Sequence, residues 1–316
     1  MQLITLLLTT VSVLTMLSGI IVYLGTSKAG KVKSAWYCLA AIFATIWMAS
    51  ICFFLTASQD SKELIEWHVN WTFVSAIILD VAFLGYAAWS KKYGKITTVF
   101  FLFIGLLISV IIFALPHSLY SSINLAHTGN TVTMNIGPVY FGYIAFFAAI
   151  VPVIVSVYLL QFFKTTSRRK RLGDAITMGS FGLSSTVVLV FNLILPMFNN
   201  WSLIWLGPLA LAVTILAVYY TILRYRTLNL SSIWLRLFSY AVVIASIAII
   251  YMIIFSIVFA ALFKGSTPST EVIVLNFIMI LIFISLMPAT TGLTQHIRSL
   301  ISGDQSNEPK RKETAK

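Results

Sequence analysis

The chain has 316 residues, 59% hydrophobic and only 9% charged, with a formal net charge of +12. Soluble domains carry about 25% charged residues, so the composition excludes a water-soluble fold, and it assigns the positive charge to membrane topology and lipid contact, with no nucleic-acid partner. The two cysteines, Cys38 and Cys52, fall in one apolar run, which excludes a disulfide framework.

A spanning helix needs about 20 mostly apolar residues. In chain order, such runs fall at 3–24, 35–56, 70–89, 96–115, 138–163, 175–197, 203–222, 237–263 and 272–290. They predict an all-α, polytopic transmembrane bundle of about nine helices. The first run has no basic residue ahead of it and is longer than the apolar core of a signal peptide; Lys28, Lys31 and Lys33 follow it instead. With 25–34, 90–95, 164–174, 223–236 and 291–316 on the cytoplasmic side, 19 of the 21 basic residues lie there. Because Lys and Arg are retained in the cytoplasm, the expected topology places the N-terminus outside and the C-terminus inside.

The segments between spans differ in character. Loop 57–69 carries Asp60, Glu63 and Glu66, with Trp67 and Trp71 at the water boundary. Loop 116–137 has no charged residue, and its stretch His127 to Thr133 reads as a turn flanked by β-formers, a small hairpin. The polar tail 302–316, with Lys310, Arg311, Lys312 and Lys316, reads as disordered and resting on anionic lipid.

Several chemistries lack their residues. No span contains a lysine, which excludes a retinal Schiff base. The four histidines fall in loops, boundaries or the tail, so an intramembrane haem or zinc site has no ligands. H-E-x-x-H, G-x-S-x-G and P-loop motifs are absent. The expectation is a protein with no catalytic residues, no metal and no cofactor.

Asp80 is the one acidic residue deep in a span, midway between Trp71 and Trp89. A charge at that depth costs about 2.5–3.5 kcal/mol on insertion scales, so its side chain is expected to face the bundle interior. It is either a ligand contact, proton switch or ion site, or a neutral acid hydrogen-bonded to a Ser, Thr or Tyr of a neighbouring helix. Asn192 precedes Pro196 in the sixth span, and Pro208 opens the seventh. Proline frees a carbonyl one turn earlier, so kinks here either shape a pocket or only set packing. Trp205 is an interface anchor or a pocket wall. Arg224, Arg226 and Arg236 flank the turn after the seventh span, where they fix topology or relay motion.

A set of short motifs carries a resemblance. Arg168-Arg169-Lys170-Arg171-Leu172-Gly173 leads into a span ending Asn192-Leu193-Ile194-Leu195-Pro196, followed by Leu206-Gly207-Pro208-Leu209. The seventh span closes with Tyr220-Thr221-Ile222-Leu223-Arg224-Tyr225-Arg226-Thr227-Leu228-Asn229-Leu230, and Gly137-Pro138-Val139-Tyr140 opens the fifth. Together these resemble the seven-transmembrane N-terminal sensor region of bacterial histidine kinases, over residues 1–230. Thr227 and Asn229 replace the family's usual leucine and aspartate.

The resemblance implies a sensor or receptor input module in a bacterial plasma membrane. It does not imply kinase activity in this chain: His296 is followed by Ile297 rather than an acid, and only a short tail remains. Residues 231–301 would hold two further spans and a short cytoplasmic exit helix. The candidate pocket or polar switch comprises Asp80, Asn192, Trp205 and Tyr140, and the candidate cytoplasmic relay Arg168, Arg169, Arg171, Arg224 and Arg226. The expected partners are membrane lipids, a small apolar or peptide ligand, and a separate cytoplasmic signalling protein. The rival functions are a small-solute or ion transporter using Asp80, and a non-catalytic membrane scaffold.

Overall fold

The computed structural model describes residues 2–56, 62–89, 92–115, 117–125, 132–198, 200–201 and 203–225. Within them, seven helices are long and apolar enough to cross a membrane. Hydrocarbon offers the backbone no hydrogen-bond partners, so each apolar run pairs its own N–H and C=O groups as a helix. The helices are α1 (Gln2–Gly25), α2 (Lys31–Thr56), α3 (Lys62–Ala88), α4 (Lys92–Ala114), α5 (Pro138–Lys164), α6 (Arg168–Val188) and α8 (Leu206–Tyr225). A π-helical segment, Leu189–Ile194, and the short α7 (Leu195–Met197) continue α6, so that one span runs to Met197. The expected spans at 237–263 and 272–290, the exit helix, Arg226, Arg236 and the tail lie outside the described residues.

Two helices begin earlier than their apolar runs. α3 starts at Lys62 rather than 70, taking in Glu63, Glu66, Trp67 and His68 from the expected loop. Glu63 sits in its first turn, where a negative charge complements the helix dipole. Trp67 packs against Trp71 one turn on (5.8 Å) and against Phe113 of α4 (5.4 Å), and His68 stacks on Phe53 of α2 (4.4 Å). α6 starts at Arg168 rather than 175, so the basic segment is the first two turns of a helix, not a loop.

α3 is the central helix. It packs against α2, α4 and α5, and Ile77, Leu79, Ala82 and Leu84 are wholly buried. α8 packs against α1, α2 and α6. α4 is buried along one face only, and Phe100, Phe103, Leu107 and Val110 point outward as lipid-facing residues do. Hydroxyls inside the spans fold back on their own helix, as in Thr9 to the Thr5 carbonyl and Thr15 to the Val11 carbonyl, both 2.8 Å, which keeps them satisfied without water. Tyr37 ties three helices together: its hydroxyl lies 2.9 Å from Ser18 Oγ of α1 and donates to the Ile215 carbonyl of α8 at 3.0 Å.

The connection between α4 and α5 forms the expected hairpin. β1 (Tyr120–Leu125) pairs antiparallel with β2 (Val132–Ile136), Asn124 opposite Thr133 and Leu125 opposite Val132, with an irregularity between Tyr120 and Ser122. His117 precedes it in a left-handed conformation, φ 61°. Ser118, Leu119 and Tyr120 are buried at its base, and burial beside the Glu66 carboxylate pushes the Tyr120 phenol above its ordinary value. The bundle thus has a hairpin end and an opposite end, where the described basic residues of α2, α4, α5 and α6 gather.

Candidate functional site

The break after α6 is the centre of the site. Pro196 has no N–H to give the Asn192 carbonyl, its partner in a regular α-helix. The chain answers by widening to a π-helical turn, in which the Leu195 N–H reaches back to the Val190 carbonyl. The hydroxyl of Tyr140, in the first turn of α5, takes over the missing donation: it lies 3.1 Å from the Asn192 carbonyl and 2.9 Å from the Leu193 carbonyl. Tyr140 is held in turn by Phe73 of α3, whose ring packs edge-on against Tyr140 (5.7 Å) and Tyr143 (5.0 Å).

The Asn192 side chain closes the other half of the junction. Its Nδ2 donates to the Ile204 carbonyl at 3.0 Å, pinning the segment that leads into α8. Gly207 makes this possible, because a Cβ there would run into the Asn192 carboxamide. Asn192 and Tyr140, two of the four residues expected in a pocket, are therefore brought together. Trp205 is half-buried and adjoins the Ile204 anchor.

Asp80 lies apart. It is 2% exposed and faces the interior as expected, but its Oδ1 has no hydrogen-bond partner. Tyr143 is near enough to interact with it electrostatically. It stands two turns beyond Phe73, about 10 Å along α3.

Beside the junction is a small cavity of about 10 Å³, lined by Ile51 and Phe54 of α2, Thr72 and Phe73 of α3, and Trp201 and Ile204 of the segment before α8. That volume is about the room one water needs. Phe73 and Ile204 belong to cavity and junction alike. Asp80 does not line it.

At the opposite end, four helices meet around Thr165, the residue that caps α5. Arg171 grips the Thr165 carbonyl with Nε (3.1 Å) and Nη2 (2.9 Å), placing a cation at the negative end of the α5 dipole. The Thr165 hydroxyl donates to Asp174 Oδ2 at 3.2 Å, and Asp174 interacts with Lys33 of α2 and Lys170. Lys33 Nζ stands 4.5 Å over the Tyr86 ring of α3, and Gln161 Nε2 donates to the Ala87 carbonyl at 2.6 Å. Of the expected relay residues, Arg171 takes part in this network. Arg168 is exposed in the same first turn, Arg169 follows it in the helix, and Arg224 lies in the last turn of α8.

Asp174 and Trp201 were not legible as site residues. Asp174 follows a run of four cations and reads as a helix-start residue, and Trp201 follows two asparagines in what reads as a connecting loop. Among the described residues no group of three or more His, Cys, Asp or Glu side chains is placed to hold a metal ion.

The described residues thus form a bundle of seven apolar helices with a proline-broken span at one end and a charged cluster at the other. The chain belongs to the family described as the N-terminal 7TM region of histidine kinase, whose model matches residues 7–232, well over half of its length. No curated protein matches it.

Proposed function

We propose that the module takes a ligand at the hairpin end, outside the cytoplasm, and reports it at the basic end to a separate cytoplasmic signalling protein. The carrying observation is the Tyr140–Asn192 junction. There, one hydroxyl substitutes for a missing backbone bond, and a side-chain amide holds the next span through the Ile204 carbonyl. Such a junction has two discrete arrangements, with these bonds made or broken, and a ligand that prefers one of them shifts the balance. Helices α5 and α6 run from this junction to the Thr165–Arg171–Asp174 cluster, so a change in their relative position is read where the exposed cations stand. The basic distribution supports the orientation, because Lys and Arg accumulate on the cytoplasmic side.

A photoreactive residue placed at exposed Lys164 or Arg168 tests this in intact cells. The reading expects crosslinks to a cytoplasmic signalling protein, identified by mass spectrometry. Crosslinks to lipid alone at both positions contradict it.

A further inference from the structure

Asp80 takes no part in the junction, yet packed rings lead from one to the other. It lies two turns beyond Phe73 on the same face of α3. Tyr143, 1% exposed, is near enough to interact with its carboxyl electrostatically. The Tyr143 ring meets Phe73 (5.0 Å) and Tyr140 (6.5 Å), and Phe73 in turn braces Tyr140. From α6, Phe181 packs on Phe83 at 5.2 Å, one turn nearer the basic end than Asp80. α6 runs antiparallel to α3, so its next turn brings Ser185 to the level of Asp80. Ser185 is 5% exposed, and its Oγ, like Asp80 Oδ1, has no hydrogen-bond partner. No charged side chain among the described residues acts on the Asp80 carboxyl. In α2, α4, α5 and α6 every Lys, Arg, Asp and Glu lies within two turns of the basic end, and those of α3, with His68, stand more than three turns away toward the hairpin. Among the described phenols and thiols of these helices, Tyr143 is the one that interacts with Asp80. An ionised carboxyl here has neither counter-charge nor donor, so Asp80 is protonated in this arrangement.

We propose that Asp80 is a proton-binding site that sets the balance of the junction. It holds its proton in the arrangement described, and releases it to water in a second arrangement, in which the hydroxyls of Tyr143 and Ser185 donate to the carboxylate. The inference rests on the sensor reading for its purpose and names the proton as a regulator of the same junction. Hydrogen bonds to the ionised form are what make a buried carboxylate tolerable, and these two hydroxyls are the donors its level of the bundle supplies. Ser185 has only to rotate its side chain. Tyr143 can turn its hydroxyl to Asp80 only by moving a ring on which Phe73 and Tyr140 pack. Tyr140 is the donor to the Asn192 and Leu193 carbonyls, so release of the proton disturbs the contacts that hold the broken span. Because the second arrangement binds one proton fewer, rising pH favours it.

The test uses the full chain in lipid nanodiscs, titrated from about pH 5 to about pH 9, a span that reaches the values documented for buried carboxyls. Infrared difference spectra follow the carboxylic C=O stretch, with the Asp80 band assigned by its loss in Asp80→Asn, a neutral side chain of the same shape. Spin labels at Lys95 and Lys170 report the basic end at each pH. Expected is a loss of the Asp80 band as pH rises, a redistribution of label distances with the same midpoint, and an Asp80→Asn protein held in the low-pH distribution. Ser185→Ala, which removes one donor, is expected to move the midpoint up by about one pH unit. An Asp80 band unchanged across the range overturns the inference. So do label distances that ignore its loss, or that follow pH equally in Asp80→Asn. The wild-type titration depends on no variant folding. Coupled titration of Asp80 and the basic end, with crosslinks at Lys164 and Arg168 to lipid alone, leaves the proton site standing and removes the sensor reading. A silent Asp80, with crosslinks to a signalling protein, does the reverse.

Discussion

At the scale of single residues, two small groups carry the junction. Gly207 lets the Asn192 carboxamide lie against the start of α8, and a Cβ there would occupy the space of the amide itself. Gly207→Ala is expected to lose about 1–3 kcal/mol through overpacking, measured as a lower thermal midpoint in detergent. The same change at Gly142, where an added Cβ meets nothing within 4 Å, is expected to leave the midpoint nearly unchanged. Asn192 and its following proline were visible in the sequence as a candidate kink. Tyr140 entered only through the motif that opens the fifth span. What joins them is a contact across 52 positions of chain, which no local pattern encodes.

At the scale of elements, the break in the sixth span is a coupled unit. Tyr140→Phe removes the donor from two buried carbonyls, at an expected loss of about 1–3 kcal/mol. Pro196→Ala restores an N–H that can return to the Asn192 carbonyl, so the hydroxyl of Tyr140 then matters less. A double-mutant cycle on thermal stability is expected to show a favourable coupling of roughly 1 kcal/mol between Tyr140 and Pro196; strict additivity would mean that the hydroxyl does not substitute for the missing bond. The existence of the seven described helices was legible because apolar length alone decides it in a bilayer. Their starts were not: α3 and α6 extend through polar residues whose helix is fixed by contacts elsewhere, Trp67 with Phe113 and Arg171 with the Thr165 carbonyl. The hairpin was legible from a charge-free loop with a central turn, since alternating β-formers around it favour pairing.

At the scale of the whole molecule, the two ends are joined by α5, which carries Tyr140 in its first turn and is capped by Thr165, and by α6, which carries Arg171 in its first turn and continues into the π-helical segment that holds Asn192. The orientation expectation came from charge asymmetry, whereas the coupling proposed between the ends is argued from α5 and α6, which run from one to the other. Neither Asp174 nor the cavity could be placed before helix neighbours were known. Asp80, the most conspicuous residue of the sequence, is buried as the cost of an exposed charge in lipid requires, yet it stands outside the junction and the cavity.

The most direct test of the central claim is a distance measurement across the basic end. Spin labels at the exposed positions Lys95 of α4 and Lys170 of α6, in the full chain reconstituted in nanodiscs, report that end by double electron–electron resonance in the wild-type background and in Tyr140→Phe. The account predicts that losing one hydroxyl at the hairpin end redistributes the population of distances at the other. Identical distributions in the two proteins, both folded, would contradict it.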